Sequence, residues 1–172
     1  MMKLIPACCI AAALTMLFTG CGTSYSWRPK VPDGMRSVTV PTFRNESGLN
    51  EFGAVAARQV LREFQREGTF SIRRADEAAL EIQGIVKSVN VGETAYNRRT
   101  YGRLHSGEVE AQVEVSVIDK REGRVLVDNR LYRARTTLVI GQDIVTAERD
   151  ASGRLADELA RQVVDDMLNL KW

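Results

Sequence analysis

The sequence predicts an α+β fold, a two-layer sandwich in which a mostly antiparallel sheet of about four strands carries two amphipathic helices packed on one face. Apolar residues recur every four positions at Phe52, Ala56, Val60 and Phe64, and every three or four along Ile144, Ala147, Ala151, Leu155, Leu159, Val163 and Met167. Each stripe is narrow enough to be one face of a helix. Between them Val109, Ala111, Val113, Val115 and Val117 alternate without a break against Glu108, Glu110, Gln112, Glu114 and Ser116, the period of a strand with one buried side. Every segment is apolar on one side only, so the second face of the sheet stays half polar.

The first strand is expected over residues 36–43, where Val38, Val40 and Thr42 share a face and Pro41 marks the exit. Asn45, Ser47 and Asn50 then offer N-caps to a helix widened by Leu49 and Leu61. Arg58, Glu63, Arg66 and Glu67 fill its far side, and Gly68 stops it. Asn45-Glu46-Ser47 also has the form of a glycosylation sequon, but these residues are read as caps. A short segment at 70–73 precedes a strand over 79–95. There Leu80, Ile82 and Gly84 give way to Ile85, Val89 and Val91, a phase change that a bulge near Gly84 would produce.

The turn Lys120-Arg-Glu-Gly123 folds the 109–117 strand back into residues 124–140, where Val125, Val127, Leu131, Thr137 and Val139 share a parity. The acidic row Glu108, Glu110 and Glu114 then lies near Arg130, Arg133 and Arg135, opposite charges that stabilise a hairpin by ~0.2–1 kcal/mol per pair. Residues 143–170 form the second helix, with i,i+4 pairs Arg154–Glu158, Asp157–Arg161 and Arg161–Asp165 on its outer side.

The N-terminus reads as an export signal. Lys3 is a positive start, residues 4–18 carry no charge, and Thr19-Gly20-Cys21 closes a small-residue cleavage site. Fifteen residues reach only about 22 Å as a helix, short of the ~30 Å hydrocarbon core of a membrane. A cysteine at the cleavage point matches a bacterial lipobox, with Phe18 where Leu is commonest. The expectation is a signal peptide at 1–20, acylation of Cys21, a tether of turn-forming residues over 21–35, and one domain over 36–172. Three acyl chains on Cys21 exceed the two anchoring signals that stable membrane attachment requires. Gly22 after the cysteine, in place of the Asp that retains enterobacterial lipoproteins at the inner membrane, favours the periplasmic side of the outer membrane.

Removing 20 of 172 residues leaves 152, and of 24 basic residues only Lys3 goes, so 23 Lys+Arg face 22 Asp+Glu. No polyelectrolyte partner follows from that near-balance, and export by itself disfavours nucleic acid. Cys8 and Cys9 leave with the signal and Cys21 is acylated, so no internal disulfide is expected. An enzyme is not expected either. His105 is the single histidine and has no cysteine or second histidine beside it for a metal. No nucleophile elbow, zinc-protease helix or phosphate loop occurs, so neither cofactor nor metal is expected. Asp157-Glu158 and Asp165-Asp166 are consecutive on a helix and splay apart as solvated faces.

The specialised segment is Tyr96-Asn-Arg-Arg-Thr-Tyr-Gly-Arg-Leu-His105, between two long strands. Arg98, Arg99 and Arg103 offer planar forks suited to phosphate, and Tyr96 and Tyr101 offer rings with a polar tip. Together they suit a phosphorylated amphiphile. The alternative is a solvated hairpin tip, because the chain beyond residue 20 uses 19 Arg against four Lys throughout. Arg130, Arg133 and Arg135 are the next candidates.

The lipobox, Val38-Thr-Val-Pro-Thr-Phe-Arg-Asn45, Leu61-Arg-Glu-Phe-Gln-Arg-Glu-Gly68 and Ala75-Asp-Glu-Ala-Ala-Leu80 together resemble the LptE family, lipopolysaccharide-assembly lipoproteins of Gram-negative outer membranes. The resemblance implies a two-layer sandwich that plugs the lumen of an LptD-type barrel and contacts lipopolysaccharide. The reading from another class is an accessory lipoprotein of a different envelope secretion or transport complex, with the same anchor and no lipid-handling role.

Overall fold

The structure is a computed structural model that describes residues 31–49, 51–92, 106–139 and 144–172. After a single 3-10 turn at Asp33–Met35 come β1 (Ser37–Thr39), β2 (Arg44–Asn45), α1 (Phe52–Glu67), β3 (Ser71–Ile72), β4 (Leu80–Gly92), β5 (Ser106–Asp119), β6 (Arg124–Val139) and α2 (Ile144–Leu168). The expected two-layer α+β sandwich is present, with a sheet of six strands instead of four. Three long strands, β4, β5 and β6, form an antiparallel meander in the order β4-β5-β6. The extra strands, β2 and β3, are two-residue pieces that sequence periodicity cannot register. β1 pairs parallel with both β3 and β4, and β2 pairs parallel with β4 further along.

β1 and β2 are one strand interrupted at Pro41, which has no N–H for a ladder. The break changes the parity: Val38 and Val40 are buried, but Thr42 is exposed and Phe43 turns inward in its place. Phe43 also explains Gly84. A Cβ on Gly84 would overlap the Phe43 ring, so this glycine admits a close aromatic contact and makes no bulge. The bulge lies three residues later, between Val86 and Ser88. Leu80, Ile82 and Val86 therefore keep one parity inward, while Ile85 sits on the other face.

β5 follows its pattern without exception over 107–119, odd residues buried and even residues not. β6 departs from its expected parity. Two register shifts against β5, between Val115 and Val117 and between Val117 and Ile118, place Tyr132, Ala134 and Leu138 inward and leave Leu131 41% and Val125 51% exposed. Asn129 absorbs the first shift at φ 41°, held by Ser116, whose Oγ accepts its backbone N–H at 2.9 Å. A left-handed conformation is tolerated by asparagine far better than by a branched residue.

α1 ends as read, with Gly68 at φ 83° and its N–H bonded to the Phe64 carbonyl. Its start differs. Asn45 and Ser47 build the preceding loop, Asn45 Nδ2 donating to the Leu49 carbonyl at 2.6 Å and the Ser47 N–H to Asn45 Oδ1 at 3.0 Å, while Glu51 is the N-cap residue without a side-chain cap bond. Asn50 lies outside the described residues. On α2 the apolar seam from Ala151 to Met167 is buried against the sheet and α1. The expected i,i+4 pairs are replaced: Arg161 bonds Glu158 at i,i+3, and Arg154 crosses to β6.

Candidate functional site

The two ends of the sheet differ in what the chain does there. At one end Val38, Leu80, Asp119 and Arg124 lie in one cross-strand row, beside the buried Val31 where the described chain enters and the β5–β6 turn with Gly123 at φ 63°. At the other end Gly92 pairs with Glu108 and Ser106 with Val139, and α2 begins at Ile144. The thirteen residues of β4 separate these ends by about 40 Å at ~3.3 Å per residue. Residues 93–105 join β4 to β5 at the second end. Tyr96, Arg98, Arg99, Tyr101, Arg103 and His105 therefore lie outside the described residues, as does Cys21.

Beside those strand stems is an apolar cleft of about 200 Å³ between α2 and the sheet, walled by Leu49, Val89, Val109, Leu138 and Leu155, with Gly48, Glu148 and Ser152 also lining it. Next to it a shallower depression of about 380 Å³ is lined by Thr136, Thr137, Asp150 and Arg154. Arg154 is fixed there by two neutral acceptors. Its Nε–H donates to Thr136 Oγ1 at 3.0 Å and an Nη2–H to the Thr137 carbonyl at 2.7 Å. Sequence reasoning missed this because helical spacing pairs Arg154 with Glu158, and nothing local reveals that β6 passes beside it.

The face of the sheet away from the helices carries charge. Arg135 lies opposite Glu110 in the register and bonds it at 2.6 Å, with Glu108 at 3.7 Å. Gln112 and Arg135 hydrogen bonds hold the Glu110 carboxyl below its ordinary value. Glu46 is held low in the same way, chiefly by Lys87 at 2.6 Å and then by Arg44. Arg133, opposite Gln112, shares this face, but Arg130 does not join the acidic row. It turns to α2, where Asp166 accepts from Arg130 and from the Tyr132 hydroxyl at 2.5 Å. Burial opposes ionisation of Asp166, yet the Tyr132 and Arg130 bonds win and its carboxyl stays below the ordinary range. Burial first, then the bond to Asp166, raises the Tyr132 phenol. These shifts hold carboxylates ionised and the phenol neutral near pH 7, which suits structure more than proton transfer. Among the described residues no group of three or more His, Cys, Asp or Glu could hold a metal, and no helix is long and apolar enough to cross a membrane.

Comparison with known proteins adds the family. The profile of the LptE lipopolysaccharide-assembly family matches residues 35–167. No curated protein matches the chain. Among solved structures, a hypothetical protein from Chlamydia trachomatis is similar at 13% identity and TM-score 0.57, over 78% of this chain and 96% of that one. A candidate lipoprotein from Caulobacter crescentus is similar at 16% identity and TM-score 0.53, over 78% and 90%. A protein from Xanthomonas campestris is similar at 12% identity and TM-score 0.53, over 80% and 88%. At these identities the likeness is one of fold.

Proposed function

This chain belongs to the LptE family of lipopolysaccharide-assembly proteins, and from that premise we propose that it works as a non-enzymatic lipoprotein which plugs an LptD-type barrel and contacts lipopolysaccharide. Acylated Cys21 anchors it to the outer membrane on the periplasmic side, so that the domain needs no spanning helix of its own. The observation that carries the reading is the family match, which runs from residue 35 to residue 167 and so covers the sandwich almost entirely. The charged sheet face supports it: ion pairs such as Arg135–Glu110 suit a wet barrel lumen, whereas lipid tails would leave such groups without solvent.

In this reading the sheet end that carries residues 93–105 meets the glycolipid. Arg98, Arg99 and Arg103 bind its phosphates through charge-assisted hydrogen bonds, and Tyr96 and Tyr101 cover apolar surface. Depleting the protein is expected to lower assembled LptD-type barrel and surface lipopolysaccharide together; normal levels of both would favour an accessory role in another envelope complex. Cys21→Ser should abolish incorporation of labelled fatty acid. The triple change of Arg98, Arg99 and Arg103 to Gln should weaken lipopolysaccharide binding at least tenfold and leave thermal stability nearly unchanged. Retained affinity would remove this segment from the site.

A further inference from the structure

We propose that the end of the sandwich where α2 begins holds a two-part site for one anionic acyl chain lipid, the chain in the cleft between α2 and the sheet and the phosphate on Arg154. This deepens the function proposed above, on which its choice of ligand rests.

The chain half follows from volume and lining. A cleft of about 200 Å³ walled by Leu49, Val89, Val109, Leu138 and Leu155 is larger than the ~150 Å³ apolar cavity that takes up a benzene. Among the described lining residues the polar side chains are those of Glu148 and Ser152, so an alkyl segment displaces water from the apolar wall favourably. The head-group half follows from charge. Arg130, Arg135 and Arg161 are each neutralised by a carboxylate. Arg154 is positioned by Thr136 Oγ1 and the Thr137 carbonyl, and among the described residues it forms no ion pair, Asp150 included. A guanidinium has five N–H groups, and these two bonds spend two of them. The rest stay available in a fork held from two sides, with Asp150 lining the same depression but not paired to it, the geometry that recognises phosphate.

The two halves share a wall. Thr136 and Thr137 precede Leu138 on β6, and Asp150 and Arg154 alternate with Ala151 and Leu155 on α2, so cation and cleft lie within one helical turn of each other. An alkyl phosphate bridges that step with its head outside and its chain inside. A free phosphate would use only half the site.

The test uses the full chain in nanodiscs and a dodecyl phosphate carrying a terminal diazirine, with the matching dodecyltrimethylammonium probe as control. Photolysis should label peptides from α2 and β6, with inorganic phosphate competing poorly. Arg154→Gln should cut labelling by dodecyl phosphate about tenfold and leave the ammonium probe unaffected. Gly48→Phe should cut labelling by both, since a Cβ at Gly48 meets nothing within 4 Å and the ring is free to occupy the cleft. Label confined to other segments of the unaltered protein overturns the proposal whether or not the variants fold, and so does undiminished labelling of folded Arg154→Gln. Failure here with barrel assembly still dependent on the protein removes the cleft alone. Labelling as expected with normal lipopolysaccharide after depletion removes the assembly role and leaves the cleft.

Discussion

The two faces of one sheet obey different rules although the same strands build them. Under the helices, Val38, Ile82, Val86, Ala111, Val113 and Ala134 are fully buried, and apolar area is what holds α1 and α2 down. On the open face, Glu110, Arg135, Glu46 and Lys87 hold one another by ion pairs in contact with solvent. The difference teaches that neighbouring positions on one strand, one residue apart, tolerate entirely different chemistry. It also locates specificity. The covered face determines stability, and the open face and the strand ends are free to meet partners.

The sharpest test of the contrast is Val113→Asp against Gln112→Asp. Val113 is 0% exposed, and a carboxylate there has no partner, so a loss of about 4 kcal/mol or more is expected, read by denaturant unfolding. Gln112→Asp should stay within about 1 kcal/mol. Equal midpoints would mean that the sheet is not one-sided. Next is Gly84→Ala, whose methyl meets the buried Phe43 ring and should cost ~1–3 kcal/mol. Combining it with Phe43→Leu should recover part of that loss, a coupling that a merely conformational glycine would not display.

Asp166 tests the clasp between the faces' shared edge and α2. Asp166→Asn should cost about 1 kcal/mol at pH 7, a charged hydrogen-bond value discounted for its partial exposure. Because the folded carboxyl titrates below its ordinary value of 3.8, its contribution is present above that pH and is lost as pH falls through the lower folded value. Thermal midpoints of wild type and variant should therefore begin to converge below about pH 3.8 and meet only below the folded value. A gap that persists in acid would deny the ionic part. The smallest effects belong to the open face: Leu131→Thr should shift stability by no more than about 0.5 kcal/mol, and Arg135→Gln should produce a small loss that salt largely erases. A large loss at Leu131 would restore the parity that simple alternation predicts, and a salt-independent loss at Arg135 would deny that its pair is solvated.

Much of this was legible in one dimension wherever a period ran uninterrupted. Val109 to Val117 and the Phe52 to Phe64 stripe alternate or recur long enough to define both element and buried side, and Gly68 marks a stop through its own backbone freedom. Reading anticipated the bulge of β4 but placed it a few residues early, and it failed at Pro41 and at the two shifts in β6. Each of these adds or removes one residue, and in a strand one residue exchanges the faces. That is why Leu131 looked buried and Tyr132 was passed over. The candidate site divides likewise. The arginine and tyrosine cluster is visible because it is dense in sequence, whereas Arg154 has two threonines seventeen and eighteen residues away as partners.

The sequence by itself determined the fold class, the two helices, the strand that anchors the meander and the family, because each rests on local periodicity or on an ordered pattern of motifs. Only tertiary structure decided the parity of β6, the reason for Gly84, the partner of Asp166 and the joining of Arg154 to an apolar cleft. These depend on which strand residue lies opposite which neighbour. Register is a property of two segments brought together, and the pattern of either segment alone leaves it open.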